Sequence, residues 1–212
     1  QDHKRVFDKD EGPNTGGMGA YSPAPVVRDS LWPVIREEVF GRTLRELTKR
    51  GIVYKGALYA GLMMTKDGPK VLEFNCRFGD PETEAILPRW SGDLIPALEA
   101  CIDGNLMERM VRWKAQHCVC VVMAAGGYPG PYPSGDVIEG LAEAGKMRDV
   151  VVFHAGTKKS GEQVVTAGGR ILGVTALGHD LEEAVKRVYE AVSKIRFQNA
   201  HYRRDIAQKA LR

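Results

Sequence analysis

The 212-residue sequence predicts an α+β fold, and three observations carry that reading. A strand-turn-strand pattern surrounds Lys66-Asp67-Gly68, short β-branched runs recur between residues 117 and 177, and an amphipathic pattern of helical spacing runs from Leu181 to Ile195. Four or more strands and one long helix make the second half α+β.

The elements follow in order. Gln1 to Pro25 is polar and rich in turn-formers, with Gly12, Gly16, Gly17 and Gly19 closely spaced. A loop this long inside a compact domain is usually functional or disordered. Asp29 or Ser30 caps a predicted helix with Pro33 in its first turn, apolar Leu31, Ile35, Val39 and Leu47 near helical spacing, and Gly51 at its end. Tyr54 to Thr65 reads as a strand and Lys70 to Cys76 as its return. Asp93 caps a third element, a helix with Pro96 in its first turn, Leu94, Leu98, Cys101 and Ile102 on one face, and Gly104 as its stop. The pattern then changes, and the chain is divided into residues 1–110 and 111–212. In the second part His117 to Ala125 is a strand, and Val150 to Ala155, Gln163 to Thr166 and Ile171 to Leu177 suggest an antiparallel meander. Asp180 and Glu183 form the signature of a capping box ahead of the Leu181, Ala184, Val185, Val188, Val192 and Ile195 stripe.

Composition excludes several function classes. Thirty Lys and Arg against 27 Asp and Glu give a net charge of +3, which offers no basic excess for a nucleic acid or an anionic membrane surface. The longest apolar run, Cys118 to Ala125, is far short of the roughly 20 residues of a spanning helix. The four cysteines contain no C-x-x-C pair; Cys118 and Cys120 share one face of a strand and read as reduced core residues, pointing to a reducing, cytoplasmic compartment. The chain starts at Gln1 with no initiator Met and no targeting pattern, and reads as a piece of a longer protein.

Chemistry concentrates in two places. In Val71-Leu72-Glu73-Phe74-Asn75-Cys76-Arg77, alternation puts Glu73, Asn75 and Arg77 on one face and Leu72, Phe74 and Cys76 on the other, which is expected to face the core. A carboxylate and an amide oxygen without Cys or His suit magnesium with substrate phosphates, and a nearby guanidinium suits phosphoryl oxygens; a solvated hairpin face is the alternative. Asp80, Glu82 and Glu84 follow at once, either as part of that site or as acids favoured in the first turn of a helix, with Asp80 held between Gly79 and Pro81. The second place is Gly12-Pro13-Asn14-Thr15-Gly16-Gly17-Met18-Gly19, where glycines allow backbone N–H groups to approach an anion. It is neither a P-loop nor a dinucleotide fingerprint, and a structural turn is the default.

The segments QDHKRVFDKDEGPNTGGMGAYSPAP, YKGALYAGLMMTKDGPKVLEFNCRFGDPE, VFHAGTK, TAGGRILGVTALG and YRRDI together resemble glycinamide ribonucleotide synthetase, the phosphoribosylamine–glycine ligase family of the ATP-grasp superfamily. The resemblance implies the C-terminal part of an ATP-grasp domain followed by a small, mostly antiparallel β domain with one long helix. It implies ATP-dependent joining of glycine to 5-phosphoribosylamine through a glycyl phosphate in de novo purine synthesis. It implies Glu73 and Asn75 as Mg2+ or Mn2+ ligands and places Arg77 near the transferred phosphoryl group. Asn14, Thr15, Gly16, Gly17 and Asp80 are then expected to hold substrate or phosphate. The N-terminal and lid domains of such a ligase would be partners in the same polypeptide, and a fragment without them is expected to be inactive. Another ATP-grasp ligase or carboxylase, or a folded fragment serving only assembly, are the competing readings.

Overall fold

A computed structural model describes residues 1–211. In chain order its strands are β1 (Arg5–Phe7), β2 (Glu11–Asn14), β3 (Gly19–Ser22), β4 (Tyr59–Thr65), β5 (Gly68–Asn75), β6 (His117–Ala124), β7 (Val150–His154), β8 (Thr157–Ser160), β9 (Gln163–Thr166) and β10 (Arg170–Gly178). The α-helices are α1 (Trp32–Val34), α2 (Arg42–Lys49), α3 (Glu82–Ile86), α4 (Ile95–Asp103), α5 (Leu141–Gly145) and α6 (Leu181–Lys194). The α+β expectation holds, with every strand pairing antiparallel. No helix among the described residues is long and apolar enough to cross a membrane.

The chain forms two compact units, which do not follow a single cut at residue 110. One comprises Gln1–Pro23, Asp80–Arg89 and Lys114–Arg212; the other comprises Ala24–Gly79 and Trp90–Trp113. In the first, the sheet order is β3-β6-β10-β7. The β-branched runs of the C-terminal half therefore do not form a simple meander: β10 lies between β6 and β7, and β8 and β9 form a separate hairpin. The outer strand beside β6 is β3, from a segment expected to be loop. Residues on both faces of β6 and β10 are buried, as continuous apolar runs demand. Cys118 and Cys120 lie fully inside, and burial pushes the Cys118 thiol up to about 12. Helix α6 lies on β6 and β10, burying Leu181, Ala184, Val185, Val188, Ala191 and Val192. Its N-terminus is capped by Asp180, whose Oδ1 accepts from Glu183 N at 2.8 Å; Glu183 returns its carboxylate to His179 N at 2.6 Å, one residue earlier than in a standard capping box.

The YRRDI segment ties the end of the chain to its beginning. The Arg203 side chain is wholly buried, and its fork donates to Asp205 Oδ1 and Oδ2 at 2.7 and 2.8 Å. Its Nη1 donates to Asp10 Oδ1 at 2.9 Å and to the Arg5 carbonyl at 3.1 Å. Asp8 and Asp205 complete the clasp by accepting from Arg204 N and Lys9 N. Lys9 and Asp10 sit at φ of 59° and 58°, a conformation that non-glycine residues hold only when surroundings enforce it. The clasp provides that enforcement, fixing the β1–β2 hairpin that leads into the glycine loop.

The second unit has far less core. Its helical segment is continuous from Trp32 to Lys49 but changes to π-type hydrogen bonding over Ile35–Gly41, between α1 and α2. Helix α4 matches expectation: Asp93 Oδ1 accepts from Ile95 N at 2.9 Å, and Gly104 closes it at φ 78°. The β4–β5 hairpin turns at Lys66-Asp67, with β4 starting at Tyr59 rather than Tyr54. The face expected to enter a core is instead open, with Leu72 65% and Phe74 40% exposed, and Cys76 exposed as well. These two strands form a sheet by themselves, and their apolar side borders a groove with the helical segment through Val71 and Phe74.

Two groups set opposite pH responses in the first unit. Burial, then the Arg203 charge, lowers the His3 imidazole from 6.5 to about 4. Its contribution to stability is full above pH 6.5 and is lost as pH falls through 4, on the order of 3 kcal/mol. Asp2, raised mainly by burial to about 6, contributes in the reverse sense, losing its share as pH rises through 6. Urea unfolding of wild type and His3→Gln between pH 7 and 4 is expected to show a steeper loss in wild type. Parallel curves would refute the assignment.

Candidate functional site

The candidate residues fall into two groups, one in each unit. In the second unit Glu73 and Asn75 lie in β5, opposite Gly61 and Tyr59 of β4. Their side chains share a face, since 73 and 75 pair regularly with 61 and 59; the register shift falls at Gly61/Leu62, leaving Leu72 as the extra residue. Gly61 permits this arrangement, because a Cβ built on it would stand 3.0 Å from Glu73 Cγ. Glu73 is exposed and Asn75 half-buried, so both oxygen donors are accessible to a ligand. No cluster of three or more His, Cys, Asp or Glu suited to a metal exists among the described residues. Two hard oxygen donors on one face fit magnesium in the manner that takes one or two protein ligands and completes its shell with phosphates and water. Arg77 departs from the expected row: β5 ends at Asn75, and Arg77 Nη1 donates to the Phe78 carbonyl at 2.8 Å.

In the first unit the glycine loop and the Asp80 turn meet. Thr15 folds inward: its Oγ1 donates to the Lys4 carbonyl at 2.8 Å and accepts from Gly17 N at 3.0 Å. Gly16 N donates to the Tyr128 hydroxyl at 3.1 Å. Gly17 has φ 126°, and a Cβ there would stand 2.3 Å from Pro81 Cδ and 2.8 Å from Asp2 Oδ1. Asn14 ends β2, opposite Arg5, and is exposed. Asp80 accepts from Arg170 Nη1 through its carboxylate at 2.9 Å and through its carbonyl at 3.0 Å. The acids after it form the first turn of α3, with Glu82 buried and Glu84 half-buried, so the helix-terminus reading of that run is correct for these two.

Three residues of this group, Asp2, Tyr128 and Arg170, carry no obvious signal in one sequence, whereas Glu84 belongs to the acidic run that follows Asp80. Asp2 has its side chain nearly enclosed; Lys4 Nζ pairs with Oδ2, while Oδ1 has no hydrogen-bond partner among the described residues. Glu84 is pushed above the usual carboxylate range by burial and by the Asp80 charge, against the pull of Arg170, and its Oε2 has no hydrogen-bond partner among the described residues. Tyr128 and Arg170 reach the loop from the C-terminal half. The TAGGR string was the available hint for Arg170, since two glycines before a strand-leading Arg imply a close approach.

Residues 1–83 match the family described as Phosphoribosylglycinamide synthetase, ATP-grasp (A) domain, which places the first part of the chain in the ATP-grasp class. Residues 118–209 match Phosphoribosylglycinamide synthetase, C domain. The chain belongs to the phosphoribosylglycinamide synthetase family. It is 52% identical over 213 residues to a phosphoribosylamine–glycine ligase of Synechocystis, covering 100% of this chain and 51% of that protein. It is 53% identical to the ligase of Escherichia coli O157:H7, again over 100% of this chain and 49% of the relative. A crystal structure of phosphoribosylamine–glycine ligase from Thermotoga maritima superposes with a TM-score of 0.85 at 38% identity, covering 98% of this chain and 50% of that one. The chain spans about half the length of the curated relatives it matches.

The loop geometry predicts a contrast between two glycines. Gly17→Ala forces both a φ of 126° and a clash with Pro81, and is expected to destabilise by roughly 2 to 4 kcal/mol in urea unfolding. Gly161→Ala has φ 61° but open space around its Cβ, and is expected to cost only about 1 kcal/mol. Equal costs would show that the loop yields freely around Pro81.

Proposed function

We propose that this chain is the C-terminal part of a phosphoribosylamine–glycine ligase, an enzyme that joins glycine to 5-phosphoribosylamine at the expense of ATP. The observation that carries the reading is the match of both halves, in order, to the A and C domains of one ligase family. The accessible Glu73 and Asn75 pair on one strand face supports it.

In this reading the glycine carboxylate attacks the γ-phosphate of ATP, releasing ADP and forming glycyl phosphate. The amine of phosphoribosylamine then attacks the acyl carbon and expels phosphate. Glu73 and Asn75 would hold Mg2+ or Mn2+, and the bound ion would supply positive charge for the transferring phosphoryl group. Arg77, next along the chain, supplies a guanidinium for the same developing charge. Asn14, Thr15, Gly16, Gly17 and Asp80 shape the surface that holds the reacting groups. Of these, Thr15 acts by fixing the loop, since its hydroxyl is engaged within it. Proximity and exclusion of water do the rest, because an acyl phosphate open to solvent hydrolyses.

The relatives' greater length supports a further part of the reading. The remaining half of the parent protein, comprising an N-terminal and a lid domain, covers the open apolar face of the β4–β5 hairpin and supplies the rest of the ATP grip. A groove between α2 and β5, lined by Val39, Leu47, Ile52, Val71 and Phe74, is the surface such a segment would fill. The setting is the cytoplasm, where purine precursors are assembled.

The intact parent protein is expected to consume ATP only when glycine and phosphoribosylamine are both present; turnover driven by bicarbonate instead would sink the reading. The isolated 212 residues are expected to show no turnover. Glu73→Ala in the parent is expected to lower kcat at least about 100-fold and to weaken Mn2+ binding about 10-fold or more by titration. Unchanged metal affinity would remove Glu73 from the ligand set.

A further inference from the structure

Among the described residues, the side chain from the C-terminal half that reaches both the glycine loop and the Asp80 turn is Arg170. Its Nη1 donates to the Asp80 carboxylate at 2.9 Å, to the Asp80 carbonyl at 3.0 Å and, over a longer contact of 3.4 Å, to the Gly17 carbonyl. The flat guanidinium lies against Gly16, where a Cβ would stand 2.9 Å from Arg170 Cζ. The residues around Arg170 serve the same assembly. Gly169 makes room for the Tyr128 ring, which a Cβ would meet at 2.4 Å, and the Tyr128 hydroxyl accepts from Gly16 N. Gly168 and Gly156 pass backbone to backbone, with a Cβ on either meeting the other's Cα at under 3.0 Å, and so let the chain turn into β10 at Arg170.

Arg170 thus joins stretches lying 153 and 90 residues away in sequence. The side chain is only 21% exposed, and the nitrogen that makes these contacts is committed to protein acceptors. A charged hydrogen bond of this kind is among the stronger non-covalent ties available, and a guanidinium presents its donors in a fixed plane. Among the described residues Arg170 is the common anchor that the C-terminal half gives to the Asp80 turn and the loop, beside the separate ties that Tyr128 and Thr15 give to the loop alone.

We propose that Arg170 is a positioning residue of the ligase reaction, acting through Asp80 and the Gly16-Gly17 backbone and not by touching substrate. The inference rests on the reading of the loop and the Asp80 turn as part of the ligase site. Misplacing reacting groups by about 1 Å costs on the order of 100-fold in rate, which sets the scale of the expected effect.

The test is steady-state kinetics of the full-length ligase carrying Arg170→Gln, Arg170→Lys, Asp80→Asn and the Arg170→Gln/Asp80→Asn pair, with thermal melts alongside. Arg170→Gln is expected to lower kcat about 10- to 100-fold with KM for glycine, phosphoribosylamine and ATP each changed less than about 3-fold. Asp80→Asn should lower kcat similarly, and the double variant should be no slower than the slower single one, since both break one tie. Arg170→Lys, which keeps a cationic donor, should recover part of the loss; if Arg170→Gln does not fold, the lysine variant carries the same comparison against Asp80→Asn. A rise in one substrate's KM with kcat unchanged would make Arg170 a substrate ligand and overturn the proposal. Multiplicative effects in the double variant, or a lowered Tm with unaltered kcat, would overturn it equally. If Asp80→Asn and Gly17→Ala both leave kcat unchanged, the reading of this region as part of the ligase site fails instead. If they impair kcat while Arg170→Gln does not, that reading stands and the proposal alone is lost.

Discussion

The arrangement of the first unit depends on one strand pairing, β3 against β6. β6 is an apolar strand whose backbone donors and acceptors need partners on both sides. One side is met by β10, the other by Gly19 to Ser22, about a hundred residues earlier in the chain. Once β3 is placed, the glycine loop that precedes it has to emerge beside β6. Gly19 itself is packed so tightly that a Cβ would stand 2.6 Å from the Cys120 carbonyl. The N-terminal segment is thus a structural member of the C-terminal sheet, not a peripheral loop.

The Arg203 clasp secures that placement from the other end. A buried guanidinium is costly unless every neighbour is polar and aligned, and here two carboxylates and a backbone carbonyl meet it. Burial alone would raise the Asp205 carboxyl, but the Arg203 fork and the Lys9 N–H outweigh it and hold it at about 2. The result is a rigid support under the β1–β2 hairpin, and through it under the loop. Arg203 and Arg170 act on opposite ends of the same segment, one fixing where the hairpin starts and the other how the loop ends.

The second unit obeys a different constraint. Helix α4 and the hairpin form because their local signals are strong: an Asp cap, a Gly stop, and a two-residue turn that ends in Gly68 at φ 90°. This unit buries few side chains, Ile35, Val39, Ala97 and Ala100 among them. Alternation in β5 sorts Glu73 and Asn75 from Leu72 and Phe74 as expected, yet alternation says only that two faces differ, not that either is covered. Leu72 and Phe74 remain exposed beside a sheet of only two strands.

Local features were legible in the amino-acid sequence wherever a short-range rule governs them. The α6 stripe, the Asp93 and Asp180 caps, the Lys66-Asp67 turn, the burial of Cys118 and Cys120, and the shared face of Glu73 and Asn75 all follow from spacing within a few residues. Arg77 escaped because the strand stops two residues before it, a boundary that alternation does not reveal. The long-range decisions escaped for a general reason: hydrogen-bonding demand on a strand edge and charge complementarity do not specify which distant segment answers them. Sequence alone determined the α+β class, helices α4 and α6, the β4–β5 hairpin, strands β6, β7, β9 and β10, and two candidate sites. Only the tertiary structure decided that β3 would complete the C-terminal sheet and that Arg170 would reach Asp80 and Gly17, because those choices are settled by competition among segments some hundred residues apart.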